Sequence, residues 1–206
     1  MKTTVASIEF VTIESGDPAA AEKFYEAAFG LGDRVRVRAS DAPTEGFRAF
    51  TVSLVVSQPS TVDSLIGTAV AAGATTLKAA KKSLWGYGGV VQAPDGAIWK
   101  IATSSKKEVG PATRDVDDIV VLLGSDDVAA SKQFYVGQGL KVARSFGKQY
   151  VEFEAAPNTV KLGLYGRKAL AKDAGVAPDG TGAHRFAFGT QAADFTDPDG
   201  FTWETP

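Results

Sequence analysis

The chain has one imidazole and no thiol: His184 is the sole histidine, and cysteine is absent. A three-histidine metal site within one chain is therefore excluded. So are thiolate zinc sites, iron–sulfur clusters, disulfides and cysteine nucleophiles. Any Ser–His–Asp relay would have to run through His184. Carboxylates pair at Asp126-Asp127 and recur in Pro94-Asp95-Gly96 and Asp197-Pro198-Asp199-Gly200. The first pair fits a helix start, where carboxylates meet free amides, and the others fit turns. Lys78, Lys81 and Lys82 form a small basic cluster that reads as a solvated loop rather than a phosphate site. Trp85-Gly86-Tyr87-Gly88-Gly89 does not follow a strand and open a helix, so it is no dinucleotide loop. Neither a P-loop nor a G-x-S-x-G elbow occurs. Aromatic residues remain: Trp85 and Tyr87 in the Gly-rich stretch, and Phe50, Trp99, Tyr165 and Trp203 on β-rich runs. Alternate residues of a strand face opposite ways, so each of these lines either a core or an open face of a sheet. Trp85, set among glycines, is badly placed for a dense core. A concave surface with few charges and several aromatics would hold a small, planar, largely apolar molecule.

The 206 residues are 44% hydrophobic and 22% charged, an ordinary globular composition that needs neither disulfide nor metal to fold. Lys plus Arg is 22 against 24 Asp plus Glu, a net charge of −2. Broad nucleic-acid binding needs a basic face and is not expected. The longest apolar run, residues 119–123, is far short of a membrane span, and the N-terminus lacks an apolar stretch of signal length. A soluble, cytoplasmic protein with no nucleic-acid or membrane partner is the expectation.

The elements that must position these side chains repeat. Residues 8–13 (IEFVTI), 17–30 (DPAAAEKFYEAAFG) and 34–38 (RVRVR) read strand, helix, strand. Residues 119–123 (IVVLL), 126–139 (DDVAASKQFYVGQG) and 141–146 read the same way. APDGAIWK at 93–100 matches DPDGFTWE at 197–204, and FRAFTVS at 47–53 resembles HRFAFGT at 184–190. Asp17 suits a helix N-cap and Pro18 its first turn. Ala21, Phe24, Tyr25 and Ala28 share one helical face. Ser60 and Ser125 read as the starts of two further helices, and a short fourth helix is expected over about 167–174. Strand candidates fall at 47–56, 89–92, 98–103, 150–154 and 160–165. Residues 104–113 are polar with Gly and Pro and read as a linker. The fold class is α+β, built of repeated βαβββ units.

Phe24-Tyr25, Gly30-Leu31, Ala72-Gly73-Ala74, Trp85-Gly86, Pro94-Asp95-Gly96 and Trp203-Glu204, in this order, resemble the vicinal oxygen chelate superfamily. That group contains glyoxalase I, extradiol dioxygenases and bleomycin-resistance proteins. The resemblance covers nearly the whole chain and implies curved mixed sheets, in which two βαβββ modules pair around one cup. Here residues 5–40 and 183–206 are shortened modules, while 46–103 and 116–177 are full ones. Sequential pairing gives two glyoxalase-like domains, 1–104 and 114–206, joined by 105–113. The alternative pairs the two full modules with each other across the linker.

The resemblance also implies a divalent metal (Zn, Mn, Fe or Ni), held by ligands on the first and last strands of paired modules. Glu204 fits the late carboxylate, His184 the early ligand, and Asp118 stands near an early position. Lys100 stands where a late carboxylate is expected, Ser53 or Leu54 where an early ligand is, and Leu164 or Tyr165 at the third module's late position. His184 also reads as a structural imidazole bonded to backbone near Gly182. The expected function is binding of a small, partly aromatic molecule in the cup without the standard metal. Catalytic residues are not assigned. The alternative is a metal-dependent lyase, isomerase or dioxygenase using His184 and Glu204. Related proteins often pair cups across a dimer interface, so a homodimer and an internal pairing both stay open.

Overall fold

The computed structural model describes residues 7–191 and 194–206. The first half runs β1 (Phe10–Ser15), α1 (Pro18–Ala28), β2 (Val35–Ala39), β3 (Thr44–Gly46), β4 (Phe50–Val55), α2 (Pro59–Ala71), β5 (Thr75–Ser83), β6 (Gly86–Gln92) and β7 (Ile98–Thr103). The second runs β8 (Asp118–Ser125), α3 (Val128–Gly137), β9 (Val142–Phe146), β10 (Tyr150–Phe153), β11 (Lys161–Gly166), α4 (Arg167–Ala174), β12 (Gly180–Gly182), β13 (Phe186–Gly189), β14 (Phe195–Thr196) and β15 (Thr202–Glu204). Among the described residues, no helix is long and apolar enough to cross a membrane.

The helices begin where side chains can take up free amides. Asp17 accepts from the Ala20 amide at 3.0 Å, with Pro18 in the first turn of α1. Asp127, not Ser125, caps α3, accepting from the amides of Ala129 and Ala130. Ser125 Oγ instead supports the turn, accepting from the Asp127 amide. The second helix starts at Pro59, one residue before Ser60. Gln58 there turns its amide to the linker, accepting from the Val109 and Gly110 N–H groups and donating to the Pro111 carbonyl. Glu108 of the linker accepts from the Ser60 amide. The linker is thus fastened to α2.

The strands do not pair sequentially. An eight-stranded sheet has the order β5-β6-β7-β4-β8-β11-β10-β9, and a five-stranded sheet the order β14-β15-β13-β1-β2. The full modules meet at antiparallel β4 and β8, with Phe50 opposite Leu123 and Val55 opposite Asp118. The short modules meet at antiparallel β1 and β13. Both joints cross the linker, so the crossed arrangement replaces the sequential one at the level of the sheets. Val52 and Leu54 of β4 sit on the same buried face as Ile119, Val121 and Leu123 of β8, and joining the two edges makes one apolar seam.

Helices α1 and α3 pack on aromatic residues of their own sequence halves. Helix α1 packs on α2, and Tyr25 and Phe29 pack on Trp99 with ring centroids 5.2 and 4.9 Å apart. Tyr135 packs on Trp203 at 5.6 Å. The repeated motifs meet here. The Tyr25 hydroxyl donates to Asp95 Oδ2 at 2.6 Å, and the Tyr135 hydroxyl to Asp197 Oδ2 at 2.5 Å. Each Phe-Tyr helix thereby fastens the Pro-Asp-Gly hairpin of its neighbouring module. Burial, ahead of the adjoining carboxylate, pushes both phenols well above their usual pKa.

Candidate functional site

The eight-stranded sheet has two unlike faces because side chains alternate along each strand. Val52, Leu54, Trp99, Ile101, Ile119, Val121, Leu162 and Leu164 join the main core beneath α1, α2 and α3. Their neighbours Ser53, Lys100, Val120 and Lys161 point the other way. Register aligns these four: Lys100 lies opposite Ser53, Ser53 opposite Val120, and Val120 opposite Lys161. They come from the first and last strands of the two full modules.

Helix α4 lies over part of this inner face. Leu170, Ala171 and Ala174 form a second, smaller core with Phe47, Val90 and Ile98. Near its C-terminal end, Asp173 Oδ2 pairs with Lys100 Nζ at 2.7 Å, and Lys78 Nζ donates to the carbonyls of Lys172 and Asp173 at 2.6 and 2.7 Å. An ammonium here complements the negative end of the helix dipole. Beside this end lies a groove of about 280 Å³, lined by Lys78, Lys81, Trp85, Lys100 and Asp173 over the glycine-rich backbone of β6. Trp85 stands at the β5–β6 turn and is 84% exposed. The turn requires glycine next to it: Gly86 has φ +136°, and a Cβ there would meet the Thr103 carbonyl oxygen at 2.0 Å.

The expected aromatic set divides. Trp99, Trp203 and Phe50 are 0%, 1% and 2% exposed, the two indoles against Tyr25 and Tyr135 and Phe50 against Phe186 and Phe201, so they have no face to offer a ligand. That correction is one of strand phase, since each occupies the apolar side of its strand's alternation. Tyr87 leans toward α2 and donates to Asp63 Oδ1 at 2.8 Å, although its backbone borders the groove. Tyr165 faces inward, edge-on to Tyr150 at 5.7 Å. Burial and Glu152 push the Tyr150 phenol up to about 12. The lysine cluster is also corrected: Lys78, Lys81 and Lys82 lie on strand β5 at the sheet edge, where charges discourage further strand pairing.

The three candidate metal ligands are held apart. His184 Nδ1 bonds the Arg48 carbonyl at 2.8 Å and Nε2 the Asp199 carbonyl at 2.9 Å, and the ring stacks on Phe201 with centroids 3.9 Å apart. Arg48 occupies the matching place in the other half, donating to the Asp95 carbonyl of the first Pro-Asp-Gly turn. The histidine is therefore a turn clasp. Glu204 is bound by Arg38 through two bonds of 2.7 and 2.9 Å, and Arg38 also reaches Glu14. Its β15 position lies opposite Gly189, five residues beyond His184. Both ring nitrogens of His184 thus face backbone carbonyls while the Glu204 carboxylate faces Arg38, so the two side chains do not converge on one point. Asp118 pairs with Lys161 at 2.7 Å.

These residues do not fit a divalent cation. The inner-face row across the middle of the sheet reads Lys100, Ser53, Val120 and Lys161: two ammoniums, one hydroxyl and one hydrocarbon. Among the described residues, no three His, Asp or Glu side chains cluster where they could hold a metal. Lys161 and Asp173 escaped the sequence reading. The alternation of Lys161 with Leu162 and Leu164 could have placed it on the inner face, three residues before the expected Leu164. Nothing in the sequence places Asp173 beside Lys100.

No protein-family model and no curated protein sequence matches the chain. Solved structures do match in three dimensions. Glyoxalase I from Zea mays superposes with a TM-score of 0.65 at 15% identity, covering 97% of this chain and 91% of that one. A point mutant of the same enzyme gives 0.64 at 17%, with coverage of 97% and 91%. A Bacillus subtilis protein provisionally described as a dioxygenase gives 0.61 at 13%, covering 100% of this chain and 86% of that one. The chain shares the fold of these proteins. At identities this low, the likeness defines the fold and not the chemistry.

Proposed function

We propose that the protein binds a small, partly aromatic molecule on the inner face of the eight-stranded sheet, beside the end of α4, and does so without a divalent metal. The observation that carries this reading is Trp85, an indole 84% exposed at the rim of a groove floored by glycine backbone. A planar ligand covering one indole face would bury about 100 Å² of apolar surface there, contributing roughly 2.5 kcal/mol before binding costs. Of the three tryptophans, Trp99 and Trp203 are buried, so ligand-dependent quenching of emission reports Trp85. Titration with a panel of aromatic compounds, repeated with Trp85→Ala, tests the proposal. A compound that quenches the native protein and binds the variant much more weakly supports it. Binding unchanged by the substitution would place the site elsewhere.

The metal-dependent reading rests on the shared fold with glyoxalase I. Its test is elemental analysis of untagged protein prepared without chelator. One equivalent of zinc, manganese, iron or nickel, lost in His184→Ala, would establish it against the donor chemistry described above.

A further inference from the structure

We infer that the molecule held in this groove is an aromatic oxyanion, its ring on Trp85 and its negative group between Lys100 and Lys81. This rests on the groove being the binding site, and it adds the ligand's charge. The inner-face row of Lys100, Ser53, Val120 and Lys161 contains no carboxylate. Both of its outer positions, Lys100 and Lys161, carry ammoniums. On the groove side the lining brings three ammoniums, Lys78, Lys81 and Lys100, against the single carboxylate of Asp173. That balance repels a cationic ligand and attracts an anionic one.

The three lysines are not equivalent. Lys78 is committed to the helix-end carbonyls. Lys81 makes no ion pair among the described residues. It lies opposite Gly88 on β6, which carries no side chain to stand between the lysine and the groove. Lys100 is held by Asp173 alone, and both side chains are about a third exposed, at 32% and 37%. A pair this wet contributes little stability, so a ligand oxyanion can take the place of Asp173 at small cost. Trp85 then offers its face to the attached ring, which a small inorganic anion could not use.

The test uses 2-naphthoate and its uncharged isostere 2-naphthamide, titrated into the full-length protein by Trp85 quenching and by calorimetry. Naphthoate is expected to bind about tenfold more tightly than naphthamide, as one charge-assisted contact predicts. Lys81→Gln, an edge-strand change remote from the core, should weaken naphthoate about threefold and leave naphthamide unchanged. Asp173→Asn should tighten naphthoate by a similar factor, the opposite of what loss of a structural pair would do. Equal binding of acid and amide, with Trp85 still quenched, would overturn the anion and leave the aromatic site standing. No quenching by either compound would overturn both.

Discussion

Replacing Tyr135 by Phe removes one oxygen from a buried polar cluster in the second half. Tyr135 is 0% exposed and Asp197 5%. Asp197 Oδ1 accepts from the amides of Phe201 at 2.8 Å and Asp199 at 3.0 Å, which leaves the Tyr135 hydroxyl to serve Oδ2. That hydroxyl also accepts from Trp203 Nε1 at 3.3 Å. A hydrogen bond to a buried charged group is worth about 1.5–3 kcal/mol, and the stranded indole N–H adds up to about 1. Tyr135→Phe should therefore cost about 3 kcal/mol at pH 7, lowering Tm by roughly 6–12 °C for a chain of this size.

The loss should depend on pH in a defined direction. Burial raises the folded-state pKa of Asp197 above the ordinary 3.8, while the Tyr135 hydroxyl holds it down. A carboxyl raised on folding favours the folded state most below its unfolded pKa, and that advantage fades as pH rises through the folded value. Without the hydroxyl the folded pKa rises further, and each added unit costs about 1.4 kcal/mol above both values. The variant's deficit should thus be largest at pH 7 and shrink at pH 4.5. Urea unfolding of both proteins at the two pH values measures it. A deficit under 1 kcal/mol at pH 7, or one that grows on acidification, would refute the picture of a buried carboxylate sustained by this phenol.

Tyr25→Phe should cost less, about 1 kcal/mol, because its partner Asp95 is only half-buried and the exposed carboxylate recovers water; the same urea series ranks the two variants. Leu170→Ala opens a cavity between α4 and the sheet, where Leu170 is fully buried, and should lower unfolding free energy by about 2–4 kcal/mol. A much smaller change in chemical denaturation would mean that α4 is not part of the cooperative fold. His184→Ala breaks both turn contacts and the stack on Phe201 and should destabilise by about 1–3 kcal/mol with metal content unchanged; elemental analysis beside a thermal melt checks both.

Much of the local structure could be read directly. The helix over 18–28 followed from Asp17, Pro18 and the Ala21, Phe24, Tyr25, Ala28 face, because capping and helical period are properties of neighbouring residues. The Pro-Asp-Gly hairpins and the repeat of Phe-Tyr were equally plain, and so was the misfit of Trp85 to a dense core. Three features needed the tertiary structure. Alternation divides a strand into two faces, but which face is buried depends on packing, and so Phe50, Trp99 and Trp203 were open to either assignment until helix tyrosines covered the indoles and Phe186 and Phe201 covered Phe50. The edge pairing of β4 with β8 joins residues some seventy positions apart, and hydrogen-bonding edges carry no sequence label. The Lys100–Asp173 pair spans 73 residues and exists because α4 folds back over the sheet. Neighbouring residues alone were enough to set the repeated elements and to single out the side chains capable of chemistry. Which of those residues share a groove was decided only when the sheets closed across the linker, since long-range contact depends on how faces and edges bury one another.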